Sequence, residues 1–188
     1  MEIIFNRVGA NMKSKLIGFI SSVVLVAAWP AAAYDLVPPC WRGQSGTTYQ
    51  EWQFGSPANP ATPEVSANPY GTAQASVTLG EFARGYRTSW SSSTNVGFWE
   101  LGRNGTIQLS VPNQPGAPVG SCKYVWLQVA QYYGGVYQYS TISIPGATYI
   151  AGQRVLYEPV DALASIYIDQ TLWRIESSPG SELATITS

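Results

Sequence analysis

The chain has 188 residues, 45% hydrophobic and 11% charged, with 10 Lys+Arg against 11 Asp+Glu and no histidine. The near-neutral balance argues against an electrostatic nucleic-acid binder, and no nucleic-acid partner is expected. The missing histidine excludes Ser-His-Asp and Cys-His catalysis, zinc–histidine sites and imidazole pH switches.

Residues 1–33 read as an address, not as part of the fold. Arg7, Lys13 and Lys15 lead into a short apolar run, 16–28 (LIGFISSVVLVAA), which Trp29-Pro30 breaks before Ala31-Ala32-Ala33. These are the charged region, apolar region and small-residue cleavage site of a secretory signal peptide, and Met12 offers a second possible start. The run is shorter than the ~20 residues of a spanning helix, so cleavage after Ala33 and no membrane partner are expected. The product would be secreted, extracellular or periplasmic, with 34–176 as one domain and 177–188 as a polar tail. It would carry seven basic and ten acidic residues, with Lys123 its only lysine. In an oxidising compartment Cys40 and Cys122 are expected to form a disulfide. Such a bond closes a loop of about 80 residues and contributes about 3–5 kcal/mol.

Beyond the leader the pattern alternates with period two. Strands are expected at 47–54 (TTYQEWQF), 75–79, 97–101 (GFWEL) and 106–111 (TIQLSV), the last two joined as a hairpin through Gly102-Arg103-Asn104-Gly105. Residues 123–133 (KYVWLQVAQYY) and 136–144 (VYQYSTISI) read as a second, longer hairpin turning at Gly134-Gly135. Residues 153–157, 165–168 and 172–176 are further strands, with Asp169-Gln170-Thr171 joining the last two. Four prolines in 55–72 keep that stretch out of a central strand, so it is expected to be an ordered loop lying over the domain. No helical stripe and no internal repeat is present. The expected class is all-β: an antiparallel two-sheet β-sandwich, jelly-roll-like.

Three segments carry a resemblance. Pro38-Pro39-Cys40-Trp41-Arg42-Gly43, Thr47 to Phe54, and Asn68-Pro69-Tyr70-Gly71 resemble a group of exported bacterial proteins of planctomycete type, which often bear a PEP-type sorting tail. The resemblance implies export and a β-sandwich, and it implies no catalytic residues. Residues 177–188 do not match such a tail, so surface anchoring is not implied. Ser165 to Asp169 followed by Leu172 to Ile175 is similar to the closing strands of secreted jelly-roll modules, carbohydrate-binding ones included.

Several constellations have the residue types that chemistry needs. Paired carboxylates run glycoside hydrolysis, and Glu51, Glu81, Glu100, Glu158, Asp161 and Asp169 are available, but no spacing singles out a pair. Asp169 and Asp161 are the candidates for calcium, with no EF-hand or glycine–aspartate repeat beside them. Isopeptide crosslinking needs a lysine, an Asn or Asp and an acid; its only lysine in the mature chain is Lys123, and it ranks low. Asn104-Gly105-Thr106 fits an N-glycosylation pattern, though its turn role suffices.

Aromatics are the strongest lead, because sugars stack on Trp and Tyr faces. Tyr124, Trp126 and Gln128 alternate against Val125, Leu127 and Val129, while Tyr137 and Tyr139 alternate on the facing strand. Trp90 stands beside a Ser/Thr/Asn run. These six residues are the candidate ligand site, with no cofactor and no metal. The expected function is non-catalytic recognition of extracellular polysaccharide or envelope material. A structural subunit of an envelope layer, matrix or filament, with self-association, is the alternative, and a glycan-active enzyme the third.

Overall fold

The computed structural model describes residues 2–8, 38–89, 96–115, 121–134, 139–159, 164–176 and 180–188; for 2–8, Ser89, Val96 and Glu158 only the backbone is described. Twelve strands appear among them, and no helix. In chain order they are β1 (Glu2–Val8), β2 (Thr48–Glu51), β3 (Val65–Ala67), β4 (Gln74–Thr78), β5 (Gly85–Ser89), β6 (Val96–Glu100), β7 (Thr106–Pro112), β8 (Cys122–Gly134), β9 (Thr141–Ser143), β10 (Ala147–Pro159), β11 (Ala164–Ile175) and β12 (Ser181–Thr187). One sheet runs β10-β11-β8-β1-β2-β3, a second β4-β7-β12-β9, and β5-β6 form a separate ribbon. All pairings are antiparallel.

Alternation explains the layering. Val125, Leu127 and Val129 of β8 and Ile175 of β11 meet Ala75 and Val77 of β4, Ile107, Leu109 and Val111 of β7, and Ala184 and Ile186 of β12 in one buried cluster. Each is a small or branched apolar side chain on the inward face of a pleated strand. Trp52 is buried in the same cluster, and its indole N–H donates to the Ala61 carbonyl at 3.2 Å. The domain is therefore an antiparallel β-sandwich, as the periodicity predicts.

The proline-rich stretch is tied down residue by residue. The Asn59 amide donates to the Val77 carbonyl at 2.7 Å and accepts from the Val77 N–H at 2.8 Å. Glu64 accepts from the backbone N–H groups of Gln53 and Gly55, and Asn68 donates to the Pro112 carbonyl. Its one strand, β3, sits at a sheet edge, where missing donors cost nothing.

Several expected partnerships are corrected. Gly102 and Asn104 do take left-handed backbone angles, φ +70° and +60°, yet β6 and β7 form no hairpin. Residues 80 and 81 capture the turn, with Gly80 N–H donating to Leu101 and Glu81 bridging Arg103 in both directions, so β6 pairs β5 while β7 pairs β4 and β12. Nor does β8 pair with the strand that follows it. β11 offers β8 a ladder from Ala164↔Gly134 to Ile175↔Lys123, whereas β9 is three residues long and joins β12. Asp169-Gln170-Thr171 is no turn: β11 is continuous there, because Arg154 takes the Asp169 side chain and Gln128 and Gln153 take that of Gln170. The supposed polar tail is β12, an interior strand whose Glu182, Ala184 and Ile186 point inward.

Two further differences concern the N-terminus. The backbone of Glu2–Val8 is inserted between β2 and β8, from Glu2↔Glu51 and Glu2↔Gln128 outward, so this part of the expected leader belongs to the sheet of the full chain. Residues 9–37, with the apolar run and Ala33, lie outside the described residues. The expected disulfide is not formed: Cys40 is exposed in the turn before β2, and Cys122 is half-buried at the start of β8.

Candidate functional site

The four described members of the aromatic and amide set, Tyr124, Trp126, Gln128 and Tyr139, do not form one platform. Trp90 and Tyr137 lie outside the described residues. Tyr124 and Trp126 are half-buried on the face of β8 opposite Val125 and Leu127, and the Trp126 indole N–H is buried without a partner. Gln128 shares that face but is buried, accepting from Gln170 Nε2 at 2.7 Å, while Gln170 Oε1 accepts from Gln153 Nε2 at 2.6 Å. These three glutamines are register partners across β10, β11 and β8, so they form a transverse amide ladder. Ile168 on the same face is also fully buried. Alternation identifies two faces of a strand but not which is solvated, and here the centre of the sheet is covered on both.

Tyr139 belongs to a different group. Its ring stacks on Tyr133 at 4.3 Å between centroids and 10° between planes, and Tyr167 meets both edge-on at about 6 Å. Tyr133 and Tyr167 share the face of Val129, opposite Trp126, because directly paired residues project to one side. The Arg154 guanidinium lies 3.3 Å from the Tyr139 centroid and donates to Asp169, with Nη2 to Oδ2 at 2.6 Å. Those hydrogen bonds hold Arg154 above its usual range, so it stays cationic. Gln131 donates to the same carboxylate, and its own Oε1 receives the Ser140 N–H. With Tyr133 and Arg154 against it, Tyr139 has little ring face left for a sugar; the cluster closes the far end of the β8–β11–β10 sheet.

Three of the carboxylates, Glu51, Glu100 and Asp169, are likewise engaged. Glu51 is buried and accepts from the Tyr49 hydroxyl at 2.6 Å and from Gln53 Nε2 at 2.7 Å. Glu100 faces Arg84 at 3.6 Å. Asp169, considered for calcium, holds Arg154 and Gln131, and Asp161 lies outside the described residues.

An open concavity among the described residues lies elsewhere. A groove of about 500 Å³ is lined by Gly43, Gln44, Thr47, Tyr49, Ala67, Asn68 and Pro69. It brings together the turn of 40–46, the start of β2 and the residues just after β3. Arg42 lies over the Tyr49 ring, 3.8 Å from its centroid. Short contacts set the walls: Gln44 Nε2 donates to the Cys40 carbonyl, Thr47 Oγ1 donates to the Gln44 carbonyl, and Asn68 Oδ1 accepts the Tyr70 N–H in an Asx turn. Arg42, Gly43, Thr47, Tyr49, Asn68 and Pro69 all come from the three segments that carry the sequence resemblance. None belongs to the aromatic set chosen by alternation. The available signal was the pair of turn motifs flanking β2 and β3, which alternation does not weigh.

No protein-family model matches the chain, and no curated protein or solved structure matches it.

Proposed function

We propose that the chain is an exported, non-catalytic β-sandwich module that recognises extracellular polysaccharide or other envelope material. The observation that carries this reading is the groove beside Tyr49. It sets the apolar ring of Pro69 beside the amide and hydroxyl groups of Gln44, Asn68 and Thr47, a mixture that suits sugar C–H groups and hydroxyls, over a Tyr49 ring that is itself buried and covered by Arg42. Its walls are pre-set by local hydrogen bonds, which lowers the ordering cost of binding. The leader pattern and the resemblance of residues 38–71 to exported bacterial proteins support the location. Cleavage after Ala33 removes β1 with the leader, leaving the facing edges of β2 and β8 to the mature protein.

Glycan-array binding by secreted protein tests the reading, alongside Gln44→Ala and Arg42→Ala. A bound polysaccharide class and at least a tenfold loss in each variant, about 1.4 kcal/mol, is the expected result. Absence of glycan binding, or binding untouched by both changes, refutes it. N-terminal sequencing of the secreted product is expected to begin at Tyr34.

One observation favours the structural-subunit reading. β10 is a sheet edge 13 residues long, and Tyr149, Ile150 and Leu156 on it are exposed at 50%, 47% and 54%. A long apolar edge is a template for pairing with another copy. Size-exclusion of the same secreted protein separates the readings: large assemblies abolished by Ile150→Lys with Leu156→Lys support the subunit, and a glycan-binding monomer supports recognition.

A further inference from the structure

Three polar side chains converge inside the sandwich. Lys123 stands on the inward face of β8, beside Val125 and opposite Ile175. Glu182 stands on the inward face of β12, paired across the ladder with Val111. Asn113 follows Val111 with the same inward orientation, its backbone N–H bound to the Gly180 carbonyl at 3.1 Å. All three are buried: Lys123 at 8%, Asn113 at 6% and Glu182 at 2%. Lys123 Nζ donates to Glu182 Oε2 at 2.6 Å and also to Asn113 Oδ1. The carboxamide carbon is one C=O bond, about 1.23 Å, beyond that oxygen. An amine, an amide and an acid are thus held together across two sheets and out of water, so the reacting groups need no diffusive encounter.

We propose that Lys123 and Asn113 join as an intramolecular isopeptide bond between the two sheets, with Glu182 relaying the protons. The direction in which burial moves each group suits it. Burial pushes the Lys123 ammonium below its usual range, and burial pushes the Glu182 carboxyl above its own, in each case against the attraction of the other. Glu182 Oε1 is buried without a partner, which further favours the neutral acid. A neutral amine beside a protonated acid is the reactive pair.

The step balances without a co-reactant. The Nζ lone pair forms a bond to Asn113 Cγ while the C=O π electrons move to Oδ1, stabilised by the Glu182 proton. Glu182 takes a proton from Nζ and delivers one to Nδ2. The Cγ–Nδ2 bond then breaks, the carbonyl re-forms, and Nδ2 leaves as ammonia. Lys123 and Asn113 end as a secondary amide, and Glu182 ends as it began. The dry surroundings keep water from competing for the amide carbon.

The product is testable by mass alone. Denatured full-length protein is expected to be lighter than its sequence by one ammonia, and trypsin is expected not to cut after Lys123. Fragmentation of the resulting peptide should release no fragments from backbone breaks between Asn113 and Lys123, the two ends of an internal loop. Lys123→Met, Asn113→Ala and Glu182→Gln should each restore the unmodified mass, the last while both joined residues remain. If a variant fails to fold, the wild-type peptide map still decides. An unshifted wild-type mass with cleavage after Lys123 overturns the proposal, and so does an ammonia loss that maps to Asn104-Gly105 as a succinimide.

Discussion

Arg154 on β10 and Asp169 on β11 are direct register partners, and the guanidinium that binds the carboxylate also lies over the ring of Tyr139. One cation thereby ties an edge strand to its neighbour and clamps residue 139 onto the same sheet. Asp169 is buried, while a third of the Arg154 side chain remains exposed, so solvent screens the pair only in part. Asp169→Ala is expected to lower stability by about 2 kcal/mol in urea unfolding, the range of a hydrogen bond to a charged group. Arg154→Lys, which keeps the charge but loses the planar fork, should cost about 1 kcal/mol. An unchanged urea midpoint in both variants would show that the cluster contributes nothing to the fold.

Glu182 makes stability depend on pH in a direction opposite to most carboxylates. Its folded-state affinity for a proton is raised above the ordinary value of 4.5, chiefly by burial. The native state therefore binds more protons than the unfolded chain above that pH. Its contribution is present in full below pH 4.5 and is lost as pH rises through the folded value. The comparison belongs in a Lys123→Met background, where no crosslink can form and Lys123 cannot titrate. There, replacing Glu182 by Gln should remove a downward slope in stability between about pH 5 and neutrality, read by thermal melts. Parallel pH profiles for the two proteins would contradict the buried placement of Glu182.

Phe82 is the most exposed large apolar residue described, at 88%, and it adopts a left-handed φ of +62°. A Cβ in that region is strained, and an exposed ring recovers no burial energy. Phe82→Gly is expected to raise stability by about 1 kcal/mol in chemical unfolding. A loss of stability would mean that the ring makes contacts the fold requires.

β12 lies between β7 and β9, and its inward residues Ala184 and Ile186 are each 2% exposed. Ending the chain after Glu176 should therefore abolish the cooperative unfolding transition, because Leu109, Val111 and the β7 ladder lose their cover. A truncated protein that still melts cooperatively would return residues 177–188 to the status of a tail.

What the amino-acid order determined by itself was local. Period-two alternation set Val125, Leu127 and Val129 on one face of their strand and made the chain all-β, since side chains alternate whatever the partner strand is. Asn104-Gly105 announced a turn, and the prolines kept 55–72 out of a central strand, because both are backbone restrictions carried by single residues. Pairing was not local. β8 takes β11 over the strand that follows it because a long ladder outweighs a short connection, and no dipeptide records that comparison. The same holds for the acid beside Lys123: Glu182 lies 59 residues away in sequence and 2.6 Å away in space. Its burial, like that of Gln128, comes from the second sheet and the covered faces, and only the folded chain supplies them.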